Sequence, residues 1–128
     1  MAKNLSYVQP GFQVVTPYVY GKVELVDFVK EVFDAEVIHP PELEADGNFH
    51  SELKIGDSPL MIGRGFFTDE SMAAANWIYV KDADATYRRA LVAGATSVRE
   101  PSDYPWGDRV AGVKDSSGNT WWIATHKS

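Results

Sequence analysis

Apolar and polar positions alternate along this chain with two different periods. In KVELVDFVKEVFDAEV, residues Leu25, Val26, Val29, Val32 and Phe33 recur at helical spacing and fall on one face. In DADATYRRALVAGATSV, residues Tyr87, Ala90, Leu91 and Ala93 form a narrower stripe, with Asp82 or Asp84 placed to cap its start and Gly94 its end. The remaining apolar segments read as strands. FQVVTPYVY (12–20) precedes the first helix and NWIYV (76–80) the second. Each helix is followed by a short β segment and then a hairpin, FHSELKIGDSPLMIG (49–63) and RVAGVKDSSGNTWWIAT (109–125). The last strand carries Trp121 and Trp122 side by side. Neighbours on a strand point to opposite faces, so one Trp enters a core and the other faces something else.

The order strand, helix, three strands therefore occurs twice. A shift of sixty residues lays Phe33-Asp34-Ala35 on Ala93-Gly94-Ala95, Tyr18 on Ile78, and Lys54 on Lys114. The repeats run over about 12–64 and 76–126, with a crossover at 65–75. This predicts an α+β fold of two βαβββ repeats. A unit of roughly 60 residues is marginal alone, and two can share a core. Residues 1–128 are read as a single domain.

Composition narrows the chemistry. The chain has no Cys, which excludes disulfides, thiolate metal sites and Cys nucleophiles. Its 45% hydrophobic and 23% charged content is that of an ordinary folded domain. No apolar run reaches signal-peptide or membrane-span length, so the expected location is cytoplasmic, with no membrane partner. The net charge of −6 repels phosphate backbones and argues against nucleic acid. There is no Gly-x-Gly-x-x-Gly, P-loop or Gly-x-Ser-x-Gly pattern, so dinucleotide, nucleotide and α/β-hydrolase readings lack support.

Three stretches carry a family resemblance: FHSELKIGDSPLMI (49–62), WIYVKDADATYRRALVAGAT (77–96) and PWGDRVAGVKDSSGNTWWIATH (105–126). Together with the doubled unit, they resemble the vicinal oxygen chelate superfamily of glyoxalases, extradiol dioxygenases and bleomycin-resistance proteins. The last stretch is closest to the PhnB-like branch, with Ser116 where that branch usually has proline. The resemblance implies mixed β-sheets cupped around a pocket with the helices outside, and a homodimer. It also implies up to four His or Glu metal ligands, on strands one, four, five and eight. Those positions fall here near Val14, Met61, Ala75 and Trp122, none of which can donate as His or carboxylate. The expectation is therefore that no metal or other cofactor is held, and that Trp122 stands where a metal enzyme keeps its carboxylate.

The candidate site residues follow. His50 and Glu52, two apart on a strand, share a face and can act as an oriented general base or as atypical ligands of a divalent metal. A plain surface or interface pair is the other reading. Trp122, Trp106, Tyr18, Trp77 and Tyr79 offer stacking surfaces for a small organic ligand, aromatic or cationic. Arg109, in WGDR, can clamp a carboxylate or merely anchor a loop. His39 and His126 read as an exposed loop residue and a tail residue. The crossover reads as a connection rather than a flap. Three roles stay open: a sequestering binder, a glyoxalase-like lyase, isomerase or dioxygenase using His50 and Glu52, and an interaction domain whose aromatics form a dimer surface.

Overall fold

The computed structural model describes residues 6–127. Its elements run β1 (Tyr18–Tyr20), α1 (Glu24–Phe33), β2 (Glu36–His39), β3 (Phe49–Ile55), β4 (Ser58–Arg64), β5 (Ala75–Tyr79), α2 (Ala83–Val92), β6 (Thr96–Asp103), β7 (Asp108–Lys114) and β8 (Thr120–His126). The two sheets have equivalent orders, β1-β4-β3-β2 and β5-β8-β7-β6. In each, the first strand lies parallel beside the last, and the others pair antiparallel. This is the α+β, twofold βαβββ architecture that the repeat predicts.

The helices form where the apolar stripes run. Leu25, Val26, Phe28, Val29, Val32 and Phe33 of α1 are all buried. Such burial stabilises the fold by roughly 1.5–3 kcal/mol for each large side chain. No side chain caps α1; its first turn closes through the Leu25 N–H donating to the Lys22 carbonyl. Helix α2 buries Ala83, Thr86, Tyr87 and Ala90, and the Asp82 carboxylate caps it by accepting from the Ala85 N–H at 3.1 Å. Asp84, the other predicted cap, is engaged elsewhere.

Both sheets turn one face to a continuous core. Val19, Phe49, Leu53, Leu60 and Ile62 from the first sheet and Ala111, Val113, Trp121 and Ile123 from the second join the helices in it. Phe33 of α1 meets Trp121 of the second sheet, ring centroids 5.4 Å apart. The helices therefore lie against the core-facing side of the sheets, and the other face of each sheet carries no helix. Among the described residues, no helix is long and apolar enough to cross a membrane.

Strand β1 corrects the sequence reading. It begins at Tyr18, not near residue 12. The preceding residues close turns instead, the Phe12 N–H on the Gln9 carbonyl and the Thr16 hydroxyl on the Gln13 carbonyl, and Pro17 has no N–H to give a ladder. Val14 is consequently an exposed loop residue. The sixty-residue shift also needs adjustment. Tyr18 pairs with Met61 and Trp77 with Trp122, so the counterpart of Tyr18 is Trp77 rather than Ile78, which faces the core.

A latch joins the repeats. The Asn119 amide donates to the Tyr20 carbonyl at 2.7 Å and accepts from the Ala74 N–H at 2.9 Å. The buried Asp115 carboxylate accepts from the Ser117 and Asn119 N–H groups and from the Trp121 indole at 2.7 Å. The turn that looks like a family signature thus serves architecture: it ties β1 to β8 and orients Trp121.

Candidate functional site

Strand alternation settles the paired tryptophans. Trp121 is wholly buried, and Trp122 lies on the opposite, uncovered face. Register then assigns its neighbours. Trp77, Trp122, Gly112 and Arg99 sit side by side across β5, β8, β7 and β6. A Cβ at Gly112 would lie 2.6 Å from the Trp122 ring, so the missing side chain lets the indole lie down across the strand. It extends toward Arg99, whose guanidinium carbon stands 5.3 Å over the ring. Arg99 also donates to the Tyr104 hydroxyl at 2.9 Å, and Tyr104 stacks on Trp106 at 4.8 Å. Trp77 and Tyr79 are adjacent, at 44% and 62% exposure.

The first sheet uses the same device. A Cβ at Gly63 would sit 2.6 Å from the Tyr18 hydroxyl. Across that gap the hydroxyl reaches His50 Nδ1 at 2.8 Å, and His50 Nε2 meets Glu52 Oε2 at 2.9 Å. A carboxylate only accepts, so Nε2 donates to Glu52, and in a neutral imidazole Nδ1 then accepts from the Tyr18 hydroxyl. Burial and the nearby Glu52 carboxylate raise the Tyr18 phenol above its ordinary value. The hydroxyl thus keeps its proton at neutral pH. Both nitrogens of His50 are therefore occupied, one by Tyr18 and one by Glu52. Phe67, from the crossover, packs its ring edge-on to Tyr18 at 5.7 Å.

Arg109 does not join this face. Register pairs it with Thr125 and Asp103, on the helix side of the sheet. There its guanidinium forks onto Asp84 at 2.8 and 3.2 Å and reaches Asp103 at 3.2 Å. Asp84 and Arg109 hold each other in their charged forms, the carboxyl shifted down and the guanidinium up. Arg109 anchors β7 to α2 from the side of the sheet opposite Trp122.

The sequence also passed over Asp108 and His126, which meet at 2.7 Å while Tyr79 donates to the same carboxylate at 2.9 Å. Chiefly through His126, these bonds hold the Asp108 carboxyl below the usual carboxylate range. His126 is thus a paired strand residue, not a free tail. Phe67 gave no signal in the sequence. Arg99 was hidden for a specific reason: β6 shifts register between Ser97 and Arg99, which moves Arg99 to the face that simple alternation assigns to Val98.

A cavity of about 690 Å³ opens beside the free edge of β5, floored by Phe33, Leu60 and Trp121 and reaching Trp77 and Tyr79. The side-chain amide nitrogen of Asn76, which lines it, is buried without a hydrogen-bond partner.

Metal donors do not fit the positions that the resemblance implies. Met61 and Trp122 are in place on the uncovered faces, flanked by Tyr18 and Trp77. None of these four supplies an imidazole or carboxylate. Among the described residues, no three His, Asp or Glu side chains converge as a metal ion requires.

Comparison with known proteins bears on the family and the fold. The model of the glyoxalase/bleomycin resistance protein/dioxygenase superfamily matches residues 11–123. An uncharacterized protein of Mycobacterium bovis is 36% identical over 109 residues, covering 75% of this chain and 70% of its own length. An uncharacterized protein of Mycobacterium tuberculosis has the same identity, and the match spans 63% of its length, a little under two thirds. Among solved structures, TioX from Micromonospora superposes with a TM-score of 0.70 at 24% identity, covering 89% of this chain and 98% of TioX. The fosfomycin resistance protein FosX of Listeria monocytogenes gives 0.66 at 15% identity, over 90% and 93%. A PhnB protein from Bacillus cereus gives 0.63 at 17%, over 88% and 99%. With a family model spanning nearly the whole chain and a fold to match, the chain belongs to the glyoxalase/bleomycin resistance protein/dioxygenase superfamily.

Proposed function

We propose that this chain is a metal-independent, homodimeric small-molecule-binding protein of the bleomycin-resistance type, near the PhnB-like branch. Its ligand rests against the uncovered aromatic faces. The observation that carries this is the Trp122 indole lying across Gly112, with Trp77 and Tyr79 exposed beside it. Exposed aromatics in such number cost solvation unless something covers them, and a flat organic molecule does so by stacking. A second copy would bring the Tyr18 face of one chain toward the Trp122 face of the other and enclose the ligand between them.

The test is a thermal-melting panel of planar organic compounds against the wild type and Trp122→Ala. A ligand present at a hundred times its Kd stabilises by about 2.7 kcal/mol, a Tm rise on the order of 10 °C for a chain of this size. We expect compounds that raise the wild-type Tm, bind stoichiometrically without turnover, and lose their effect in Trp122→Ala. No shift with any planar compound would remove the proposal and favour an interaction domain.

A second reading rests on the Tyr18–His50–Glu52 chain, which has the form of an acid–base relay. Any proton exchanged with a ligand then passes through the Tyr18 oxygen, with His50 behind it and Glu52 holding the imidazole. An enzyme of this kind loses turnover in both Tyr18→Phe and His50→Ala while retaining ligand binding.

A further inference from the structure

The charge on the Trp122 face defines the class of ligand it takes. Register places Ala75, Trp77 and Tyr79 of β5, Asp108, Val110, Gly112 and Lys114 of β7, and Thr120, Trp122, Ala124 and His126 of β8 on this face, with Arg99 of β6 beside them. The one carboxylate among these is Asp108, and it is already paired with His126 and bonded by Tyr79. Arg99 and Lys114 have no ion-pair partner among the described residues. On a molecule with a net charge of −6, this face therefore carries uncompensated positive charge.

Arg99 is also held in place. Its guanidinium stands over the Trp122 ring, and one nitrogen donates to the Tyr104 hydroxyl. A guanidinium offers five N–H donors, so most of them stay open on the exposed side. The stacking position that a cationic ligand would use on Trp122 is already taken by the chain's own cation. Arg109 is committed to Asp84 and Asp103 on the helix side of the sheet, away from this face.

We infer that Arg99 is the anion-anchoring residue of this face, and that the ligand is a planar molecule bearing a carboxylate or a similar oxyanion. The planar part packs on the exposed Trp77 beside Trp122 while the oxyanion takes the open donors of Arg99. This rests on the proposed binding function and names its ligand class.

Isothermal titration calorimetry with 2-naphthoate, neutral 2-naphthamide and cationic 2-naphthylmethylammonium separates the possibilities, because the three share one aromatic body. We expect the wild type to bind naphthoate roughly tenfold or more tightly than naphthamide, the size of a charge-assisted hydrogen bond, and the cation most weakly. Arg99→Gln should erase the preference of naphthoate over naphthamide, and Arg99→Lys should restore part of it. Equal binding of all three, or a naphthoate preference that survives in Arg99→Gln, overturns the anchoring role and leaves the aromatic face standing. If none of the three binds the wild type, the binding reading and the inference fall together.

Discussion

At the scale of single residues, two glycines set the chemistry of the two faces. Gly63 lets Tyr18 cross to His50, and Gly112 lets Trp122 lie toward Arg99. A methyl group at Gly63 would press on the Tyr18 hydroxyl and approach the Phe49 carbonyl to 3.0 Å. Gly63→Ala should thus cost about 1–3 kcal/mol, as overpacking does, and detach Tyr18 from His50. Spectroscopic titration of the phenols reads this directly. In the wild type, Tyr18 and Tyr79 should ionise above the ordinary tyrosine range, Tyr18 through burial and Tyr79 chiefly through its bond to Asp108. In Gly63→Ala the Tyr18 phenol should move back down. The stability effect has a defined sign. A group whose folded pKa is raised stabilises the fold fully below its unfolded value, about 10, and the contribution is lost as pH climbs through the folded value. A wild-type melting temperature that fell no faster above pH 10 than that of Tyr18→Phe would contradict this.

Among the elements, the β7–β8 hairpin bears the greatest structural load. Its turn contributes Asn119 to the seam between the sheets and Asp115 to Trp121. Removing the amide in Asn119→Ala leaves the Tyr20 carbonyl and the Ala74 N–H without their partner, and a buried unpaired group costs about 1–3 kcal/mol. Urea unfolding should show a loss of at least about 2 kcal/mol for Asn119→Ala, well beyond that of Ser117→Ala. Equal losses would mean that the turn is not the latch. The same hairpin shows how far sequence patterns reach. The alternation that separates Trp121 from Trp122 is local and was readable. The same alternation, followed back through the hairpin register, assigns Arg109 to the helix side. Position in the WGDR motif left Arg109 open to a ligand clamp or a loop anchor; the folded chain pairs it with Asp84 of a distant helix.

For the whole molecule, the consequence of the fold is that its aromatic faces look away from its core. We expect the protein to run as a dimer in sedimentation at micromolar concentration, with Tyr79→Glu shifting it toward monomer by placing charge on the covered face. Specific interfaces usually bury about 1,200–2,000 Å² in total, and two apolar sheet faces can provide that. A wild-type monomer at every concentration tested would remove the second copy from the proposed site.

What the sequence determined by itself is the part governed by local periodicity: the order of the elements, the twofold repeat, the buried stripe of α1 and the opposite fates of Trp121 and Trp122. That Met61 and Trp122 offer neither imidazole nor carboxylate was legible too, because residue type alone states it. Tertiary structure decided which polar groups meet. Tyr18 and His50 stand 32 positions apart and come together through the parallel pairing of β1 with β4 and the antiparallel pairing of β4 with β3. Arg99 replaced Arg109 on the Trp122 face because an irregular strand shifted its register, while two carboxylates from other segments captured Arg109. Period and composition are written into neighbouring residues. Register, bulges and long-range ion pairs belong to the folded chain, since only folding brings distant charges within reach of one another.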